Sequence, residues 1–136
     1  MDLNARLTQE FDRAVRLLID DPTKAEVGLR RVRRCALRGG SVEIATACLG
    51  PLSMLASARY DHQRAFRYAQ RLVNESPIPA HLILLGSTAK RVGKLTTAIN
   101  SFREALASSE NELRDVAVAC YESVLVARDA RRAQGR

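Results

Sequence analysis

Two helical residue patterns alternate along the chain, and this alternation constrains the fold more than any other feature of the sequence. The first pattern is Leu49-x-x-Leu52-Ser53-x-x-Ala56, Leu82-x-x-Leu85-Gly86-x-x-Ala89 and Leu113-x-x-Val116-Ala117-x-x-Cys120. The second is Ala25-x-x-x-Leu29-x-x-Val32, Ala65-x-x-x-Ala69-x-x-Leu72 and Ala98-x-x-x-Phe102-x-x-Ala105. Each pattern puts apolar side chains on one helix face with a small side chain beside them. The alternation predicts pairs of unlike helices that cross closely at the small residues.

Helix-breaking residues divide these patterns into about seven helices. Gly39 and Gly40 are suited to end one helix, and Ser41 to cap the next. Ser109 and Glu112 have the spacing of a capping box, which predicts a last helix that runs to about residue 131. Alternating β-branched runs are absent, so we expect an all-α chain of antiparallel helix hairpins. The predicted breaks are at residues 20–23, 38–41, 60–61, 74–77, 92–94 and 109–112.

Pro51 interrupts the third predicted helix, which otherwise runs from about residue 42 to 59. A proline inside a helix removes one backbone hydrogen bond and clashes with the preceding turn. Gly50 weakens the same place. The sequence therefore predicts either a kinked helix or two short ones, and does not decide between them.

The alternation resembles the tetratricopeptide repeat. The best-matching unit, residues 79–109, has the following residues at consensus offsets: Leu82, Leu85, Gly86, Ala89, Gly93, Lys94, Ala98, Phe102 and Ala105. The unit at 41–78 departs from the family at Ser53 and Tyr60, where glycine is usual. Residues 3–38 look like a degenerate hairpin, 110–131 like a capping helix and 132–136 like a tail. The resemblance implies one domain over 1–136, a short right-handed solenoid of stacked hairpins.

The resemblance also implies a function, because such solenoids present a concave groove lined by the first helix of each hairpin. Grooves of this kind bind an extended peptide or an amphipathic helix of another protein. We therefore expect a non-catalytic adaptor or small chaperone; its size is similar to that of the compact chaperones of bacterial secretion systems. The implied groove residues are Ala47, Met54, Ser57, Ala80, Ile83, Ser87, Lys90 and Arg91.

The charge of the chain suggests an alternative. There are 22 Lys and Arg against 15 Asp and Glu, a net charge of +7. If the hairpins stack as the resemblance implies, a set of arginines on the second helices lies on the convex face. Such a face could bind nucleic acid or an acidic partner protein, or could be an ordinary solvated surface. The set is Arg30, Arg31, Arg34, Arg64, Arg67 and Arg71.

Nothing in the sequence indicates an enzyme, a metal site or a cofactor. His62 and His81 lie on different predicted helices, and neither has a cysteine or a carboxylate at ligand spacing. Cys48 and Cys120 occupy apolar stripe positions, which favours small core residues over nucleophiles. Cys35 lies among arginines, so a reactive thiol there is the one remaining catalytic hypothesis.

The expected location is the cytoplasm. No window is apolar enough to span a membrane, and the first residues lack a secretory leader. The three cysteines have no paired spacing, which fits a reducing compartment. Self-association is a further expectation, because Val118, Leu125 and Val126 give the last helix spare apolar surface.

Overall fold

The computed structural model describes residues 2–135, which contain helices and no strand, so the all-α prediction is confirmed. Its eight helical segments are α1 (Leu3–Arg16), α2 (Pro22–Arg38), α3 (Val42–Ala47), α4 (Leu49–Ala58), α5 (His62–Glu75), α6 (Pro79–Arg91), α7 (Leu95–Ser108) and α8 (Asn111–Gln134). The last helix extends past the predicted end at 131. The final residue of the predicted tail, 136, lies outside the described residues.

The chain divides into two compact units, Met1–Leu72 and Val73–Arg136, with the division inside α5. In the first unit α1 and α2 pack as a hairpin, α3 contacts both of them, and α4 contacts α2. In the second unit α6 and α7 form a hairpin, and α8 contacts both of them. Each unit is thus a helix hairpin followed by a third helix that packs on both members of the hairpin.

The core of the first unit is formed by apolar residues of α1 to α4, onto which Tyr68 of α5 also packs. Small residues allow α1 and α2 to approach closely: a Cβ atom on Gly28 would lie 3.1 Å from the Cβ of Ala14. A second link joins α4 to α5, where the buried Ser53 hydroxyl donates a hydrogen bond of 2.8 Å to the carbonyl oxygen of Ala65. The Ser53 that replaces the family's glycine is therefore satisfied inside the core.

The second unit is held by a close contact between α6 and α7 and by two arginines of α8. A Cβ atom on Gly86 would lie only 2.5 Å from the ring of Phe102, which is 1% exposed. Arg114 donates a 2.7 Å hydrogen bond to the carbonyl oxygen of Leu106 near the end of α7. Arg131 donates one of 3.0 Å to the carbonyl oxygen of Gly93 after α6. These bonds satisfy backbone acceptors at two helix ends and fix α8 against the hairpin.

The segment that contains Pro51 forms two consecutive helices, α3 and α4, and Pro51 lies in the first turn of α4. The only interruption between α3 and α4 is Cys48, whose backbone stays right-handed helical with φ −71° and ψ −23°. Cys48 still donates to Ile44 at 3.3 Å, and Leu52 donates to Cys48 at 3.1 Å. Because Pro51 has no N–H, it cannot donate to the carbonyl oxygen of Ala47, four residues earlier. The backbone hydrogen bonds of Cys48 and Leu52 nevertheless continue across the boundary between α3 and α4.

Three helices end in the same way, with one residue in the left-handed region. The residues are Gly40, Tyr60 and Gly93, with φ of 76°, 62° and 83°. In each case the next N–H donates to the carbonyl oxygen five residues back, as in a Schellman motif. The donor and acceptor pairs are Ser41 to Ala36 at 2.8 Å, Asp61 to Ala56 at 2.9 Å and Lys94 to Ala89 at 2.9 Å. The predicted glycine stop after α2 is therefore confirmed.

The capping box predicted at Ser109 and Glu112 is wrong. The N-cap of α8 is Glu110, and no side chain donates or accepts a capping bond there. Ser109 is buried, and its hydroxyl has no hydrogen-bond partner among the described residues. Ser109 is extended, but it lies one residue before the N-cap, and the chain enters α8 through Asn111, which takes φ of 55°.

We expect Gly86→Ala to lower the free energy of unfolding by about 2 kcal/mol, because the new methyl group would overlap the fully buried Phe102 ring. Gly50→Ala is the matched control. Its nearest neighbour would be Leu72 at an ordinary 3.8 Å, so better helix propensity should leave the protein equal or more stable. Urea unfolding monitored by circular dichroism measures both; equal effects of the two substitutions would contradict the close packing of α6 on α7.

We expect the free energy of unfolding of the Tyr60→Gly variant to be about 1 kcal/mol higher than that of the Tyr60→Ala variant. The reason is that only glycine adopts φ of 62° without steric cost. Both variants lose the edge contact of the Tyr60 ring with His62, so their comparison isolates the backbone. Thermal and urea unfolding of the pair provides the measurement. Equal stabilities would mean that the left-handed ending of α4 is not maintained in solution.

Candidate functional site

A cleft of about 440 Å³ opens between α6 and α8 in the second unit. Its floor includes Phe102 of α7, which Gly86 allows to lie directly beneath α6. One wall comes from the C-terminal half of α6 and the other from the middle of α8. The wall residues are Ser87, Lys90 and Arg91 on α6, and Ala119, Cys120 and Ser123 on α8.

The lining of this cleft is cationic, and no carboxylate is among its residues. Lys90 is half-buried, and its Nζ donates a hydrogen bond of 2.6 Å to the hydroxyl of Ser123 across the cleft. Arg91 is exposed at the mouth. Both cations lie in the last turn of α6, where the helix dipole also favours positive charge. The cleft can therefore accept an anionic group while it offers the hydroxyls of Ser87 and Ser123 and the apolar surface of Ala119 and Cys120.

Cys120 faces this cleft but is not set up as a nucleophile. Burial raises the pKa of its thiol above the usual value, and the nearby Lys90 offsets only part of that increase. A thiol with a raised pKa stays protonated at neutral pH, and the protonated form is a poor nucleophile. The side chain contributes a small apolar surface to the cleft instead.

The predicted groove residues have different environments. Ser87, Lys90 and Arg91 line the cleft together, whereas Ile83 packs against the core cluster of Leu82, Ala105 and Ala117. Ala80 is exposed at the start of α6. In the first unit, Met54 is 59% exposed on α4. There Ala47 is also exposed and Ser57 is half-buried.

The wall formed by α8 was not predicted as a site. Ala119 and Ser123 were not singled out, and Cys120 was assigned to an apolar stripe. The signal that could have identified them is the first-helix pattern at 113–120, which repeats the pattern of α6. If α8 is treated as another first helix, its residues belong to the same groove-facing set as those of α6.

The arginines predicted on the convex face all lie in the first unit, and two of them have carboxylate partners. Arg30 contacts Glu26 at 2.8 Å, and Glu26 also pairs with Arg59 of α4. Arg64 lies 3.5 Å from Asp61. The remaining four are exposed and have no ion pair among the described residues: Arg31, Arg34, Arg67 and Arg71.

The histidines and the other thiols are not arranged as a catalytic or metal site in residues 2–135. His81 hydrogen-bonds through Nδ1 to the carbonyl oxygen of Ser76 at 2.8 Å, and the half-buried His62 lies beside Tyr60. No group of three or more His, Cys, Asp or Glu side chains in these residues could hold a metal ion. Cys35 is half-buried and packs against the core of the first unit. The three cysteines are free thiols.

Within residues 2–135, every helix is too short or too polar to cross a lipid bilayer. No protein-family model, no curated protein and no solved structure matches this chain.

We expect Cys48 to react with iodoacetamide about a hundredfold more slowly in the folded protein than in urea at pH 8. Burial raises the pKa of its thiol to about 11, although the positive charge of Arg33 lowers that pKa in part. Little thiolate therefore forms at pH 8. Because the folded pKa is raised, this thiol stabilises the fold below pH 9, and that stabilisation is lost between pH 9 and 11.

Mass spectrometry of the alkylated peptides at pH 8, 9 and 10 measures the rate at each cysteine. In the folded protein, the alkylation rate of Cys48 should still rise about tenfold per pH unit up to pH 10. In the urea-unfolded chain, the alkylation rate should already level off in this range, because the thiol has its ordinary pKa there. A folded rate within a factor of about three of the unfolded rate would contradict the burial of this thiol.

Proposed function

We propose that this chain is a non-catalytic protein-binding module, an adaptor or a small chaperone, built as a short tetratricopeptide-repeat-like array. The packing within each unit supports this, because a hairpin followed by a helix that contacts both of its members is the local arrangement of such arrays. The three free thiols support a reducing compartment such as the cytoplasm. The binding site is the cleft between α6 and α8.

The lining of the cleft is the observation that carries this proposal. Lys90 and Arg91 line it without a carboxylate, and Ala119 and Cys120 add apolar surface beside them. A ligand that satisfies both features has an anionic group beside an apolar one. A peptide or an amphipathic helix of a partner protein, with an acidic residue next to a large apolar residue, has this chemistry.

Lys90 provides most of the specificity in this proposal. In the free protein its ammonium group already donates to the neutral Ser123 hydroxyl. A carboxylate of the ligand would replace a neutral acceptor by a charged one, and hydrogen bonds between ionised groups contribute about 1.5–3 kcal/mol. Arg91, which is exposed, would add mainly to the association rate.

The basic face of the first unit is the alternative site, for nucleic acid or an acidic protein. It is favoured by the four exposed arginines without ion pairs, Arg31, Arg34, Arg67 and Arg71. Their attraction to a polyanion would be weakened strongly by salt. The pairing of Arg30 and Arg64 with carboxylates leaves this face with less free charge than the sequence indicates.

We expect the double substitution Lys90→Glu and Arg91→Glu to weaken peptide binding at least about tenfold, because it reverses the charge of the cleft. The probe is a library of labelled ten-residue peptides, each with adjacent carboxylates beside one large apolar residue, and binding is measured by fluorescence anisotropy. Arg103→Glu on the exposed surface of α7 is the charge control and should bind as the native protein does. Ala119→Trp should also abolish binding, because its ring would fill the cleft.

Two outcomes would contradict the cleft as the site. In the first outcome, no peptide of the library both binds the native protein and fails to bind the two cleft variants. The other is retention of binding in those variants together with its loss in Arg67→Glu and Arg71→Glu. That second result, with a steep dependence on salt, would assign the function to the basic face instead.

A further inference from the structure

The outer face of α8 carries acidic and apolar side chains and points away from the hairpin it packs on. The side of α8 that packs on α6 and α7 contains the buried Ala117 and Val124. On the opposite side, exposed residues recur at helical spacing, and none of them is a cation: Asp115, Val118, Glu122, Val126 and Asp129. Val118 and Val126 are 36% and 69% exposed, so this face presents aliphatic surface beside its carboxylates.

The first unit contains a cleft of opposite charge between α1 and α2, of about 310 Å³. Arg13, Lys24 and Arg31 line it, together with a single carboxylate, Glu10. Within residues 2–135, the cations of this cleft form one ion pair, a long one from Lys24 to Asp21 at 3.9 Å. The apolar part of the lining consists of Ala14, Leu17, Val27 and Gly28.

These two surfaces are complementary in charge and in polarity. The α8 face offers the carboxylates of Asp115 and Glu122, together with Asp129, which also contacts Arg128 at 3.4 Å. The cleft offers three cations against one carboxylate. The exposed valines of α8 match the apolar part of the cleft, where Val27 is 54% exposed.

We propose that the α1–α2 cleft of one molecule binds the outer face of α8 of a second copy of this chain. The contact joins two different surfaces, so it is heterologous, and each molecule keeps one free cleft and one free α8 face. The proposal goes beyond the function assigned to the α6–α8 cleft, because the two sites differ and peptide binding does not require self-association.

The net charge of +7 opposes association of two copies, whereas the local charges favour it. At an ionic strength of about 0.15 M, charges more than about 8 Å apart are largely screened, while contacts within the interface are screened less. Local complementarity therefore decides the outcome at physiological salt. The contact is small and is oriented mainly by charge. We therefore expect two copies to associate only at high micromolar protein concentration.

The test is sedimentation equilibrium of the purified chain at about 0.15 M salt, from about 10 µM to about 1 mM. One variant reverses the cleft, Arg13→Glu with Arg31→Glu, and another reverses the helix, Glu122→Lys with Asp129→Lys. The native protein should show a mass that increases with concentration, and each variant alone should stay monomeric. The surface control, Arg67→Glu with Arg71→Glu, should associate as the native protein does.

Mixing the two reversed variants separates this contact from others. The cleft variant keeps a native α8 and the helix variant keeps a native cleft, and the two reversed surfaces also complement each other. An equimolar mixture should therefore associate as the native protein does, although neither variant associates alone. A single chain with all four substitutions should associate again. Circular dichroism establishes that each variant is folded, since all four positions are exposed.

Three results would overturn the proposal. A native protein that stays monomeric to about 1 mM has no such contact at relevant strength. A cleft variant that still dimerises would mean that α8 pairs with α8. A monomeric native chain whose cleft binds an isolated acidic amphipathic peptide, and loses it on Arg13→Glu, would assign the cleft to a different partner.

Discussion

The contact of Gly86 with the Phe102 ring is the constraint on which the second unit depends. Because the glycine has no Cβ atom, α6 can lie directly over an aromatic ring that is almost fully buried. The same ring then forms the floor of the cleft between α6 and α8. Arg114 and Arg131 fix α8 against the ends of the other two helices, and so set the opposite wall. Helix packing and site geometry are therefore consequences of one close approach.

Arginines in this chain have two roles that the net charge alone does not distinguish. Arg59 and Arg30 share the carboxylate of Glu26, whose side chain is largely buried, and so connect α2 to α4. Arg114 and Arg131 are bound to carbonyl oxygens. These side chains serve the fold. Other cations line the α6–α8 cleft and the α1–α2 cleft, or are exposed on α2 and α5.

The helices and their close contacts could be predicted from the sequence, because small residues such as Gly86 recur in register with large apolar ones. The ending after α2 was predictable for the same local reason, since Gly40 adopts φ of 76°. Pro51 was ambiguous: its missing N–H does not determine whether the chain continues as a helix, which depends on bonds made by Cys48 and Leu52. The capping box failed because α8 begins one residue later than predicted, with Glu110 as its N-cap and a left-handed Asn111 after it.

The candidate site was predictable only on one side, for a reason that lies in helix geometry. Lys90 and Arg91 could be assigned from the register of a single helix, whereas Ala119, Cys120 and Ser123 become a wall only because α8 packs across α6 as well as α7. A helix in that position has two accessible sides. One side of α8 lines a cationic cleft, while the other exposes carboxylates and valines to a different surface. Because residues two positions apart on a helix differ in direction by about 200°, Cys120 and Glu122 can belong to the two sides without interfering. The proposed peptide binding and the proposed self-association can thus be altered separately in the same helix.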